Sequence, residues 1–302
     1  MSSASSVRAT RDLGGDDAWR TLVATGRFKL FWHALERLRA ADGFTHARSL
    51  AFGLSLVVVQ GVVALVACMV AFGQSELTQT ILSSVRRASP GPATDILIWA
   101  GTQARHVGHQ HRPLPLVAGL GGTMVTATTS AAQIIRGVNR LYGIEQDGPF
   151  FRKYGRAVFL AAAVLLTLVA AGILVTLGHH ATASANTEHD ARVAWIWLRW
   201  PAAVLLASAG FGAILRFAPR RRQPRWSWLA FGGAVGVLGW IVVTLALALV
   251  FRVSATSQVY GPLAGIVALQ LWTFCAAVAT YFGAALTAEL EAVRSGTVPR
   301  KG

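Results

Sequence analysis

"WLAFGGAVGVLGWIVVTLALALVF", residues 228 to 251, runs for 24 positions without one acidic or basic side chain. As a helix it would rise about 36 Å, more than the roughly 30 Å hydrocarbon core of a bilayer. In water such a helix would expose apolar surface on every side, so its natural solvent is lipid. Gly232 and Gly236 within it are spaced as GxxxG, which lets a second helix backbone come close.

Five more uncharged runs flank it, near residues 50 to 73, 114 to 135, 157 to 178, 200 to 215 and 262 to 288. The run at 200 to 215 is the shortest, and would begin at Trp195 if Arg199 snorkels to the interface. Composition agrees with a membrane protein: the 302 residues are 54% hydrophobic and only 14% charged, with a mean hydropathy of +0.50. All 13 acidic residues fall outside the apolar cores, as the cost of a carboxylate at mid-depth requires. Cys68 and Cys275 lie inside predicted spans and read as small apolar residues.

The charges orient the chain. With a cytoplasmic amino terminus, segments 1 to 49, 136 to 156, 216 to 227 and 289 to 302 hold 21 of the 28 Lys and Arg. The opposite loops, 74 to 113, 179 to 199 and 252 to 261, hold 7. By the positive-inside rule both termini are cytoplasmic. The net charge of +15 therefore speaks of topology and anionic lipid headgroups as partners, and no nucleic-acid partner is expected. Trp195, Trp197 and Trp200 on one side, and Trp226 and Trp228 on the other, mark the interfaces.

The first 49 residues lack the short apolar region and small-residue cleavage site of a signal peptide, so the first span reads as a retained anchor. Residues 1 to 17 are expected to be a disordered cytoplasmic tail, 18 to 292 a six-helix membrane domain, and 293 to 302 a second tail. From Trp19 to Ala40 an amphipathic helix is predicted, with Trp19, Leu22, Val23, Phe31, Leu35 and Leu38 on one face and Arg20, Arg27, Arg37 and Arg39 mixed into the other. It would lie in the inner interface or cap the cytoplasmic ends of the bundle. A short helix is predicted near Pro92 to Gln103.

Polar chemistry within the spans is uneven. "GLGGTMVTATTSAAQ", residues 119 to 133, is built mostly from Gly, Ala, Ser and Thr, and suits either close helix packing or the lining of a hydrated groove. Candidate substrate contacts there are Thr126, Thr129 and Gln133, with Gln60 and Gln270 near mid-depth of the first and last spans; interhelical hydrogen bonding is the simpler role for the amides. His106, His109, His111, His179, His180 and His189, with Glu188 and Asp190, sit in the outer loops at spacings that fit no zinc template, and read as solvated residues. No Walker loop, GxSxG elbow, HExxH or dinucleotide GxGxxG in a strand-to-helix context is present. No enzyme activity, catalytic residue, metal site or cofactor is expected.

"NRLYGIEQDGPFFRKYGR", residues 139 to 156, is a basic loop between the second and third spans, with Arg136, Arg140, Arg152, Lys153 and Arg156 placed for headgroups. Its Asn-Arg-x-Tyr-Gly core, followed by acidic and Pro-Phe positions, resembles the YihY/BrkB family of bacterial inner-membrane proteins. Trp200-Pro201, "RFAPRRR" at 216 to 222 and "YGPLAGIVALQLWTFCAAVATYFGAALTAELE" at 260 to 291 extend the resemblance to about residues 20 to 292. The chain departs from that family at Val59-Gln60, where a Leu-Phe-Pro is usual, and at Gly283-Ala284-Ala285, where a Gly-Ala-Glu is usual.

The resemblance implies a multi-pass inner-membrane protein of six helices with cytoplasmic termini, and signature-turn positions Asn139, Arg140, Tyr142 and Gly143. YhjD-like members have been linked to lipid or lipopolysaccharide export and others to serum resistance, while a ribonuclease BN label on some members looks like a misassignment. Gly143 suits a turn of positive φ, and Asn139 a helix end. The loop is then a structural hinge, or a headgroup clamp through Arg136 and Arg140. The predicted fold class is an all-α polytopic membrane protein. The function expected is a transporter, exporter or flippase-like protein for a lipid or other amphiphile, the alternative a membrane scaffold, and a ribonuclease the distant third. A homo-oligomer is left open.

Overall fold

A computed structural model describes residues 4–10, 12–89, 91–109, 114–145, 148–184, 189–253 and 263–296. Among them the chain forms ten α-helices: α1 Gly15–Thr25, α2 Arg27–Ala40, α3 Gly43–Ala71, α4 Ser75–Ala88, α5 Ala93–His109, α6 Leu114–Leu141, α7 Phe150–Ser184, α8 His189–Phe217, α9 Trp226–Val253 and α10 Leu263–Arg294. The protein is all-α among the described residues, and α3, α9 and α10 combine the length and apolarity a bilayer crossing needs. The helices α6, α7 and α8 reach 28, 35 and 29 residues, and the Gly, Ser and Thr content of α6 keeps its hydropathy low.

Several sequence expectations change. The single amphipathic helix over Trp19–Ala40 is two helices, broken at Gly26, whose φ of +86° ends α1. Its predicted apolar face is only partly covered: Leu38 is buried, while Trp19, Val23 and Phe31 are exposed. Arg37, placed among the polar residues, is buried. The basic loop at 136 to 156 is mostly helical, since α6 carries Arg136 and Arg140 while α7 carries Arg152, Lys153 and Arg156. Residues 179–184 and 189–199 of the expected outer loop likewise belong to α7 and α8, and α8 runs through Pro201 rather than starting there. A whole helix, α4, precedes the one predicted near Pro92. Trp228, expected at an interface, is fully buried, whereas Trp226 is half exposed.

The chain divides into two compact units. The first gathers residues 1–48, 131–240 and 277–302, which include every segment that the charge bias assigns to the cytoplasm. Its core is Leu30, Ala34, Leu38, Leu141, Tyr142, Trp228, Leu229 and Tyr281 with the small Ala284, Ala285 and Ala288. Here α9 meets α10 backbone to backbone: a Cβ on Gly283 would lie 2.7 Å from Gly232 O and 3.2 Å from Gly236 N. The Gly232 and Gly236 spacing is therefore a close helix crossing.

The second unit holds residues 49–130 and 241–276. Its buried side chains include Val62, Val66, Leu82 and Leu97, while Leu245, Leu249 and Val242 of α9 are each more than 60% exposed. In water such a row would be costly; against acyl chains it is the ordinary state of a spanning helix. Gly119 of α6 packs on α3, where a Cβ would stand 2.9 Å from Ala64 N.

Candidate functional site

The charged side chains that the first unit buries converge on the end of α10. That helix continues past the predicted limit at 288 to Arg294, carrying Glu289 and Glu291 into its last turns. A helix C-terminus repels carboxylates, so two buried there need cations close by. Arg37 of α2 supplies one: Nε donates to Glu289 Oε2 at 2.7 Å, and Nη1 to the carbonyls of Leu141 and Ser5 at 3.0 and 3.1 Å. His33 Nδ1 stands 3.8 Å from the other Glu289 oxygen. Arg221, from the segment between α8 and α9, pairs with Glu291 and donates to Val7 O at 2.8 Å.

The amino-terminal residues are threaded through this knot. Thr10 donates its amide and hydroxyl to Glu291 Oε1 at 3.0 and 2.6 Å, and the amides of Ala4 and Val7 reach the carbonyls of Arg140 and Tyr142. The tail expected to be disordered is thus bound over residues 4–10, by charges on distant elements that its own composition does not announce.

The signature turn lies against the same knot. Tyr142 is buried, and the Arg221 guanidinium sits 4.3 Å from its ring centroid. Burial pushes the Tyr142 phenol well above its ordinary pKa, Glu291 adds to the rise, and Arg221 and Arg37 oppose it. Gly143 has φ +74°, and the amides of Gly143 and Ile144 close a Schellman turn on Arg140 O and Asn139 O at 3.1 and 2.9 Å. A Cβ at Gly143 would meet Ser6 Cα at 2.6 Å. Asn139 Oδ1 accepts from the Arg220 amide at 2.9 Å, tying the end of α6 to the segment after α8.

The candidate contacts named from sequence fall in both units. In the first, Arg136 and Arg140 are half-buried one turn apart on α6. Arg136 interacts electrostatically with the Tyr281 phenol, whose hydroxyl donates to Gln133 O at 3.1 Å. In the second, Thr126 donates to Gln60 Oε1 at 2.8 Å and to Gly122 O at 2.7 Å. Ser55 donates to Gln270 Oε1 at 2.8 Å and lies 3.1 Å from Thr273. Thr129 is exposed and bonds back to its own helix at Val125 O. Of the outer-loop group, His111 and Glu188 lie outside the described residues, as do the side chains of His109, His179, His180, His189 and Asp190. Among the described residues no three His, Cys, Asp or Glu side chains converge as a metal site would require.

Sequence reasoning missed the knot of Arg37, Arg221, Glu289 and Glu291. The available signal was the pair of acids in the last turns of a long apolar helix, where the helix dipole alone disfavours them.

With this geometry in place, a family model described as virulence factor BrkB matches residues 34–301. The chain belongs to the virulence factor BrkB family. It is also similar to the ribonuclease-like protein YfkH of Bacillus subtilis (strain 168), with 23% identity over 178 residues. That match covers 57% of this chain and 64% of YfkH. No solved structure matches the chain. As a BrkB-family chain it is a helical protein of membrane type, and the ribonuclease word belongs to the name of a distant relative.

Proposed function

We propose that this BrkB-family chain is a multi-pass protein of the bacterial inner membrane that binds and moves a lipid or other amphiphile, as a transporter, exporter or flippase-like protein. In this reading it crosses the membrane six times with both termini in the cytoplasm, and the α1–α2 segment lies at the inner interface. The observation that carries the reading is the pair Arg136 and Arg140, half-buried on the turn of α6 that leads into the signature motif. Cations held at headgroup level by a rigid helix attract anionic lipid at about 1 kcal/mol each.

Native mass spectrometry of the detergent-purified protein tests it, with an unrelated six-span protein from the same membrane as control. Selective retention of one anionic lipid, weakened by Arg136→Ala and Arg140→Ala, supports the reading and leads to a lipid-translocation assay in proteoliposomes. Retention of the bulk lipid mixture, unchanged by those substitutions, removes it.

A second reading, a non-transporting scaffold, is favoured by one specific feature. The small residues of α6 fit against α3 at Gly119 and Gly122, and Gln60 and Thr126 satisfy each other there. A ribonuclease of the metal-dependent kind would need carboxylates or histidines gathered at the cytoplasmic face; Glu289 and Glu291 are each paired with an arginine, and no metal-binding cluster forms among the described residues.

A further inference from the structure

The end of α8 and the segment that follows it border an open hollow of about 450 Å³ lined by Arg216, Arg221, Arg222, Gln223, Pro224 and Arg225. Of its four guanidiniums, Arg221 is the one paired with a carboxylate among the described residues, by Glu291. Arg216 donates to the carbonyls of Gln223 and Pro224 at 3.0 and 2.6 Å, which fixes its position, and among the described residues no carboxylate pairs with it. Arg222 and Arg225 are exposed at the rim. Gln223 is 94% buried, and neither its amide oxygen nor its amide nitrogen has a hydrogen-bond partner in the described structure. An amide so placed is costly unless a ligand or solvent completes it. α9 begins at Trp226, the residue after Arg225, and the amides of Trp228 and Leu229 close on Arg225 O at 3.1 and 3.3 Å, which fixes the backbone at the edge of the hollow.

Beside this cationic hollow lies an aromatic rim. Trp226 stands 5.9 Å from the Arg216 guanidinium and 6.0 Å from Phe217, which in turn meets Phe159 at 5.2 Å. All three rings are exposed by more than a third. Arginine forks match the oxygens of a phosphate, and an exposed aromatic edge next to them suits an acyl chain or a glycerol backbone.

We infer that this hollow is a binding site for the phosphate of an anionic membrane lipid, held by Arg216, Arg222 and Arg225 with the lipid's apolar part against Trp226, Phe217 and Phe159. The inference rests on the proposed function only in placing the segment at the membrane surface; it holds whether or not the lipid is moved. A lipid-translocation assay and the binding assay below therefore fail independently.

The test uses the full chain in detergent, titrated with dihexanoyl phosphatidylglycerol and, in parallel, with glycerol phosphate, binding being followed by native mass spectrometry. Arg222→Gln/Arg225→Gln removes two exposed charges and leaves the buried pairs alone. Arg20→Gln/Arg39→Gln removes two exposed charges from the same unit outside the hollow. One lipid bound per chain, weakened about tenfold or more by the first pair and unaffected by the second, is the expected result, since each lost charge-assisted contact counts roughly twice a neutral one. Equal loss in both pairs, which marks general charge attraction, overturns the inference, and so does no loss in the first pair. Glycerol phosphate bound as tightly as the lipid also overturns it, because the site would then serve a soluble phosphate.

Discussion

At the scale of single residues, burial decides which charges matter. The Arg221 side chain is 9% exposed and that of Glu291 fully buried. Glu291→Ala therefore strands a buried guanidinium and is expected to cost about 3–5 kcal/mol. The pair of Arg294 and Asp17 is 48% and 29% exposed, and Asp17→Asn is expected to cost less than about 1 kcal/mol. Thermal unfolding in detergent of the two variants side by side checks the contrast. Tyr142 offers a sharper case, because its buried hydroxyl has no hydrogen-bond partner among the described residues while its ring carries Arg221. Tyr142→Phe keeps the ring and is expected to be neutral or stabilising by about 1 kcal/mol, whereas Tyr142→Ala loses about 3–5 kcal/mol of packing. A clear loss in Tyr142→Phe would mean that the hydroxyl is satisfied after all. Only the acids left a trace in the sequence, Glu289 and Glu291 standing in the last turns of a long apolar helix; their partners did not, Arg37 reading as one of several surface arginines.

At the scale of elements, glycines set how closely helices approach and where they stop. Gly143→Ala is expected to destabilise twice over, by about 1–2 kcal/mol for the left-handed backbone and again through the contact with Ser6. Partial proteolysis of the amino-terminal residues, faster in Gly143→Ala than in the parent protein, would show that the turn holds that segment down. Gly283→Leu drives a side chain into the Gly232 and Gly236 backbone, and is expected to reduce folded yield strongly on size-exclusion chromatography. The GxxxG spacing announced such a crossing, and the Asn-Arg-x-Tyr-Gly core announced a turn. The break at Gly26 was not legible, because a lone glycine is tolerated inside helices, whereas "SELTQTILSSVRRA" does mark α4, through Leu77, Ile81, Leu82 and Val85 at helical spacing, a signal too short to stand out beside the long apolar runs.

At the scale of the whole molecule, the prediction concerns sidedness. In a Cys68→Ser/Cys275→Ser background, Arg222→Cys is expected to react with an impermeant thiol reagent only after the membrane is opened. Labelling in intact cells would reverse the topology drawn from the distribution of Lys and Arg. The same variant lines the arginine hollow, so protection of its thiol by added anionic lipid would report on both questions.

By itself the sequence determined the class of protein, its helical composition and its family, because each rests on local or summed properties: uncharged runs long enough for lipid, the bias of Lys and Arg between loops, and a short polar motif. The tertiary structure alone decided which of those charges are solvated and which are buried. It paired Arg37 with Glu289 across 252 positions and tied Thr10 to Glu291 across 281. It also turned a run of arginines after α8 into a hollow with an aromatic edge. Such pairings depend on which helix ends meet, and that follows from packing among distant segments rather than from any periodicity within one of them.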